Sequence, residues 1–274
     1  IRLDETGIDG TGTPFEDNRN DTDWSPMLGV VFNPAEDQSL YASASQSFAP
    51  PSIRVSDPDP QPEEGTQYEV GYKVEALRGR LQTTVAVYQL DRENIPVPDA
   101  NGFTQQSGDQ RSRGVEWDFA IEPIPGLRVF ANYAYTDAEF TSFFQTAVVG
   151  TDFLGRPIYG TVDRTGNQPA YVPEHLGNLW VSQRFNNGVG YGVGGRYVGE
   201  QFIAEDNTFA LDDYVLVDAA LFFRFGRYEI QINGKNLTEE EFFTRGFYDA
   251  RTGAEGSVIP GPGRTFYGTL QMQF

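Results

Sequence analysis

Arg227-Tyr228-Glu229-Ile230-Gln231-Ile232-Asn233-Gly234-Lys235 decides the fold of this chain, together with the closing stretch Thr265-Phe266-Tyr267-Gly268-Thr269-Leu270-Gln271-Met272-Gln273-Phe274. In the first, Tyr228, Ile230 and Ile232 alternate with Arg227, Glu229, Gln231, Asn233 and Lys235. In the second, Phe266, Leu270, Met272 and Phe274 alternate with Thr265, Tyr267, Thr269, Gln271 and Gln273. A period of two is the signature of an extended strand with one apolar and one hydrogen-bonding face. A soluble sandwich shows the same alternation, so strand length and loop asymmetry must name the solvent. The strands run to roughly ten residues, the length that crosses a bilayer when tilted, and connections alternate between long and short. The apolar faces are therefore read as facing lipid.

Working outward, the same pattern recurs. Tyr68, Val70, Tyr72 and Val74 oppose Glu69, Gly71, Lys73 and Glu75. Val115, Trp117, Phe119 and Ile121 form another apolar row, as do Leu127, Val129, Ala131, Tyr133 and Tyr135. Charges on one face are tolerated only where that face is wet. Short turns are expected at residues 33–37, 77–79 and 123–126, at Asn186-Asn187-Gly188, a hairpin signal of the Asn-Gly kind, and at Gly226. Long connections are expected at residues 6–22, 49–65, 91–110, 136–172 and 236–263. With an opening strand at residues 1–5, this gives about twelve strands in an up-and-down meander, tight turns on the periplasmic side and long loops outside. Phe274 then ends on the periplasmic side.

Composition excludes several other classes. The 274 residues carry 20 Lys plus Arg against 39 Asp plus Glu, a formal charge of −19, which argues against a nucleic-acid partner. Acidic loop clusters at Glu16, Asp17, Asp21 and Asp23, and at Asp57, Asp59, Glu63 and Glu64, lack the spacing and glycine of an EF-hand loop, so they read as solvated faces and no metal site is assigned. The absence of cysteine removes disulfides, thiolate metal sites and thiol nucleophiles. His175 is the only imidazole, too little for a hydrolase's base and nucleophile, so no catalytic residues are assigned. No apolar run approaches the ~18 residues of a helical span, whereas a barrel buries only alternate residues and escapes hydropathy. Residues 1–5 already read as strand and no signal peptide opens the chain, which suggests a start inside a larger protein.

Several blocks, in collinear order, resemble one family. These are Ser47-Phe48-Ala49-Pro50, Glu64-Gly65-Thr66-Gln67-Tyr68-Glu69-Val70-Gly71-Tyr72-Lys73, Arg111-Ser112-Arg113-Gly114-Val115-Glu116, Tyr171-Val172-Pro173-Glu174-His175 and Asn233-Gly234-Lys235-Asn236-Leu237-Thr238. They are similar to the C-terminal half of TonB-dependent outer-membrane receptors of the ferric-siderophore class. Two departures are minor: Gly263 stands before Arg264 where the family usually has proline, and Phe242 and Phe243 stand where tyrosine is usual. The resemblance implies an all-β, antiparallel transmembrane barrel of about 22 strands, of which residues 1–274 form a single portion, about the last twelve. The plug that fills such barrels and couples to TonB is not matched by any part of this chain.

The resemblance also implies function and partners: capture of a ferric siderophore by outer loops and plug, TonB acting through the plug segment, outer-membrane lipid around the wall, and no covalent cofactor. Aromatic faces suit organic chelates in concave sites. Phe143, Phe144 and Tyr159 in the longest loop, with Phe247 and Tyr248 in the last, are therefore contact candidates, although loop-on-loop packing explains them equally well. Phe266, Leu270, Met272 and Phe274 resemble the C-terminal signal read by the barrel-assembly machinery of Gram-negative bacteria. A self-contained twelve-stranded channel or adhesin is the rival reading, and which chelate is carried stays open because loops decide it.

Overall fold

The computed structural model describes residues 2–8, 14–20, 24–50, 61–98, 104–249 and 254–273, and among them there are strands and turns but no helix. β1 (Arg2–Ile8) and β2 (Pro14–Asn20) form a hairpin of their own. β3 (Met27–Ala35), β4 (Gln38–Ala49), β5 (Glu63–Ala76), β6 (Leu81–Pro98), β7 (Thr104–Ile121) and β8 (Leu127–Thr151) begin the main sheet. β9 (Pro157–Asp163) folds back on β8. The wall continues through β10 (His175–Arg184) and β11 (Val189–Val198), followed by the small pair β12 (Gln201–Phe202) and β13 (Ala210–Leu211). β14 (Tyr214–Phe225) and β15 (Tyr228–Lys235) come next, then the hairpin of β16 (Phe243–Asp249) with β17 (Ala254–Pro260), and finally β18 (Thr265–Met272). The main sheet runs β18-β15-β14-β11-β10-β8-β7-β6-β5-β4-β3, each neighbour antiparallel.

Register sorts the side chains, because directly opposed residues share a face. Val30 lies opposite Ala42, Ala42 opposite Val70, Val70 opposite Val87, Val87 opposite Val115 and Val115 opposite Tyr135. At the other end Leu270 opposes Ile230, Ile230 opposes Phe223 and Phe223 opposes Val189. Each is an uninterrupted apolar row across the wall. Among the described residues no second protein layer covers these rows: Val70 is 54% exposed and Leu270 68%. Hydrocarbon is the environment that makes such a surface stable. On β8 the apolar stripe runs from Leu127 to Tyr135, about 27 Å along the strand and roughly 21 Å at a tilt of ~40°, close to the apolar band of an outer membrane.

The opposite face is polar by the same register. Lys73, Thr84, Asp118, Asn132, Asn178 and Arg196 form one row from β5 to β11. Its groups satisfy one another: Asn178 Nδ2 donates to Asn132 Oδ1 at 2.8 Å, Lys235 Nζ to Asp218 Oδ2 at 2.6 Å, and Arg184 and Arg224 both reach Glu229. Trp180 lies flat on this face over two glycines, where a Cβ at Gly194 would come within 2.4 Å of the indole. The tight turn at Asn186-Asn187-Gly188 forms as expected. Gly188 has φ +86° and donates to Phe185 O at 3.1 Å.

Two expectations are corrected. The opening strand pairs with β2, inside the stretch expected to be loop, and not with the wall. The main sheet still has the expected twelve strands, eleven on its continuous path and β9 beside β8. The connections at residues 91–110, 136–172 and 236–263 are also largely strand: β6, β7 and β8 continue past the apolar belt, and β16 and β17 build a hairpin. The reason is environmental. Above the membrane both faces of a ladder are wet, so the chain keeps its backbone pairing while losing the alternation that reveals a strand in sequence.

Candidate functional site: the loop crown

The end of the wall opposite the tight turns carries the extended hairpins. Where β6 and β7 leave the belt, their outer face turns from Val87 and Val115 to Asp91, Arg111 and Arg113. Arg111 Nε donates to Asp91 at 2.6 Å and Arg92 pairs with Glu63. Ion pairs replace aliphatic rows because water replaces lipid.

The β8–β9 hairpin dominates this crown. A bulge at Thr141 separates the pairs Phe140 with Gln110 and Phe143 with Gly108. The extra residue reverses the alternation beyond it, so Phe140 and Phe143 both point to the inner face. Their ring centroids stand 4.2 Å apart, and they pack with Val97 into the buried cluster of the crown. The next residues split by parity. Phe143, Gln145 and Ala147 face inward and are buried; Phe144, opposite Asp163, and Tyr159, opposite Val148, share the other face and are half-exposed.

The hairpin's tip is built by Asp152. Its Oδ1 accepts the N–H groups of Leu154 and Arg156 at 2.8 and 2.9 Å, and its Oδ2 accepts Arg156 Nε at 2.6 Å. These bonds, the Arg156 N–H foremost, hold the Asp152 carboxyl below the usual carboxylate range. At the base, Asp163 is held low in the same way by Thr165, through its hydroxyl and its N–H. The fixed turn presents Phe153, 91% exposed, and Leu154 to solvent.

The five contact candidates are thus divided. Phe143 is 4% exposed and spends its ring on packing; Phe144 and Tyr159 present theirs. Phe247 on β16 is half-exposed with the Arg245 guanidinium 5.4 Å from its ring centre, and the side chain of Tyr248 lies outside the described residues. Phe153, the most exposed ring of this hairpin, is not among the five; Asp152 and Gly155 around it are the turn signal that places it at the tip. Of the C-terminal set, Phe266, Leu270 and Met272 share the lipid face of β18, and Phe274 lies outside the described residues.

A cleft of about 860 Å³ lies not in the crown but on the inner wall, between Asn132, Trp180, Arg196, Asp218, Lys235 and Phe242. It is a reach of concave wall whose Asp218–Lys235 pair is already satisfied. The crown, with its exposed aromatics, is the better candidate for ligand capture.

Comparison with known proteins bears on this geometry. The chain is 31% identical over 257 residues to the ferrichrome outer membrane transporter/phage receptor of Escherichia coli, covering 89% of this chain and 32% of that protein. It is 28% identical to the metal-pseudopaline receptor CntO of Pseudomonas aeruginosa, covering 91% and 33%. It therefore spans about a third of the length of these curated relatives. The crystal structure of the siderophore receptor PiuA from Acinetobacter baumannii superimposes with a TM-score of 0.79 at 21% identity, over 96% of this chain and 38% of that one, which shows the shared fold. The family model described as TonB dependent receptor-like, beta-barrel matches residues 1–237, and the chain belongs to that family of outer-membrane barrels.

Proposed function

We propose that this chain is one continuous portion of the barrel of a receptor that takes up ferric siderophores, supplying wall and loop crown. One observation carries the reading: a single antiparallel meander with an apolar belt on one face, a charged inner face on the other, and extended hairpins at the end opposite the tight turns. Lipid surrounds the belt, the crown captures an iron chelate, and TonB acts through a plug segment seated against the charged inner face. The proposed work is binding and movement of cargo, not bond making. The β18 row of Phe266, Leu270 and Met272 is offered to the assembly machinery.

The strand order supports this over a self-contained channel: β3 and β18 are the ends of the sheet and do not pair with each other among the described residues. Radiolabelled ferric chelates supplied to cells carrying the full gene, with and without TonB, test the reading. TonB-dependent accumulation of at least one chelate is expected; accumulation at an equal rate without TonB rejects active uptake.

A further inference from the structure

The β16–β17 hairpin forms a two-stranded sheet of its own and pairs with no strand of the wall among the described residues. Its base is firmly fastened. Asn236 Nδ2 donates to Glu240 O at 2.9 Å and to Pro262 O at 3.3 Å, its Oδ1 accepts the Glu240 N–H at 2.8 Å, and its own N–H donates to Asp218 Oδ1 at 2.9 Å. Phe242 is buried, its ring centre 4.6 Å from that of Tyr214. Beyond this base the hairpin is held by little. Among the described residues the Tyr171 hydroxyl, donating to the Gly246 carbonyl, makes its one hydrogen bond to the rest of the crown. Gly246 also lies against Ile203, where a Cβ would come within 2.8 Å of the isoleucine side chain.

Tyr171 reaches the hairpin from another connection. Its backbone stands at φ +61°, a region that bulky residues rarely adopt, and its N–H donates to Phe202 O at 2.8 Å. The segment that carries it is clamped to the β12–β13 turn. Gln168 N–H donates to Asn207 Oδ1 at 2.7 Å, Asn207 Nδ2 to Gln168 O at 2.8 Å, and Asn167 Nδ2 to Glu205 O at 2.8 Å. The platform is thus multiply tied, and the strain falls on the one residue that grips the hairpin. Such strain persists only where surrounding contacts hold it, and it collects at switch points. The hydroxyl bond is one of the contacts that offset it, which leaves the fastening close to balance.

We propose that the β15–β18 connection is a hinged flap with a single catch: the β16–β17 hairpin swings as a body about Asn236 and Phe242, and the Tyr171 hydroxyl on Gly246 holds it closed. Hinges of this kind concentrate the motion in a few residues at the end of an element. Release frees the Tyr171 backbone to leave its strained φ, so the catch opens in one step. The flap carries Phe247, and its base lines the inner-wall cleft through Phe242 and Thr244, so its position governs both the placement of that ring and access to the wall below. The inference stands on the fastenings of the hairpin and does not depend on the uptake reading.

The test uses the intact receptor in lipid, freed of any native cysteine outside this stretch, which has none. One spin label sits on the flap at Ser257→Cys and one above β11 at Glu200→Cys, both exposed positions. Distance measurement between the labels should give one dominant short separation for the parent. Tyr171→Phe, which keeps the ring and removes the hydroxyl, should raise the long-separation population about three- to tenfold relative to the short one, the worth of one hydrogen bond. Gly246→Ala, which leaves Tyr171 intact and drives the hairpin off Ile203, should enlarge the same population. A control pair at Asp137→Cys and Glu200→Cys should keep the parent separation in both. An unchanged distribution in either variant, or a control pair that lengthens alongside the flap, overturns the catch.

Discussion

Val85 and Thr84 sit side by side in the part of β6 that crosses the apolar belt, and the register sends them to opposite environments. Val85 lies between Tyr72 and Trp117 on the apolar face; Thr84 lies between Lys73 and Asp118 on the polar one. An arginine placed at each in the intact receptor separates the two faces. At residue 85 the guanidinium meets hydrocarbon near mid-depth, which costs about 2–4 kcal/mol, a drop of roughly 30- to 700-fold in the folding constant. At residue 84 it meets water and the Asp118 carboxylate, with Lys73 opposing, so the net change is expected within about 0.5 kcal/mol. Equilibrium unfolding in phospholipid vesicles measures both, and the fraction of heat-modifiable receptor in the outer membrane gives an independent reading. If Thr84→Arg costs as much as Val85→Arg or more, the apolar face does not meet lipid and the membrane assignment fails.

Other consequences follow from local geometry. Gly188→Ala places a Cβ 2.2 Å from the Arg224 carbonyl oxygen at a φ of +86°; it should cost more than the ~1 kcal/mol of an ordinary turn substitution and lower the melting temperature, whereas Asn187→Ala should cost less. Phe143→Ala should loosen the β8–β9 hairpin by about 3 kcal/mol, read as lost amide-exchange protection, while Phe144→Ala leaves protection nearly unchanged. The depressed carboxyl of Asp152 stabilises the hairpin tip above the ordinary aspartate range and loses that contribution as pH falls through the folded value. Leu154 and Arg156 amide protection should therefore hold from neutral pH to about pH 4 and drop only below it, and loss of protection already at pH 6 would contradict that turn. Phe144→Ala and Tyr159→Ala should each weaken chelate binding several-fold with little effect on melting, and a melting shift without a binding change would return both rings to a packing role.

Much of the wall was legible before any coordinates. Strands of the belt alternate because one side must be apolar for lipid and the other polar for water, so Val115 to Ile121 and Leu127 to Tyr135 announced both their conformation and their outward face. The tight turns were readable too, since a reversal at Gly188 or Gly226 needs a backbone with φ above zero. The crown was not. Beyond Gln89 and Tyr135 both faces of the ladder are wet, side-chain polarity stops alternating, and strands passed for loop.

Sequence alone determined that this is a membrane meander of its family, which side of each belt strand meets lipid, and that the longest connection is rich in aromatic residues. Tertiary structure decided what those residues do. A single unpaired residue at Thr141 reverses the parity of everything beyond it on β8, burying Phe143 and Gln145 while presenting Phe144 on the other face. No local pattern marks that bulge, because it arises where two strands of unequal residue count must keep one ladder.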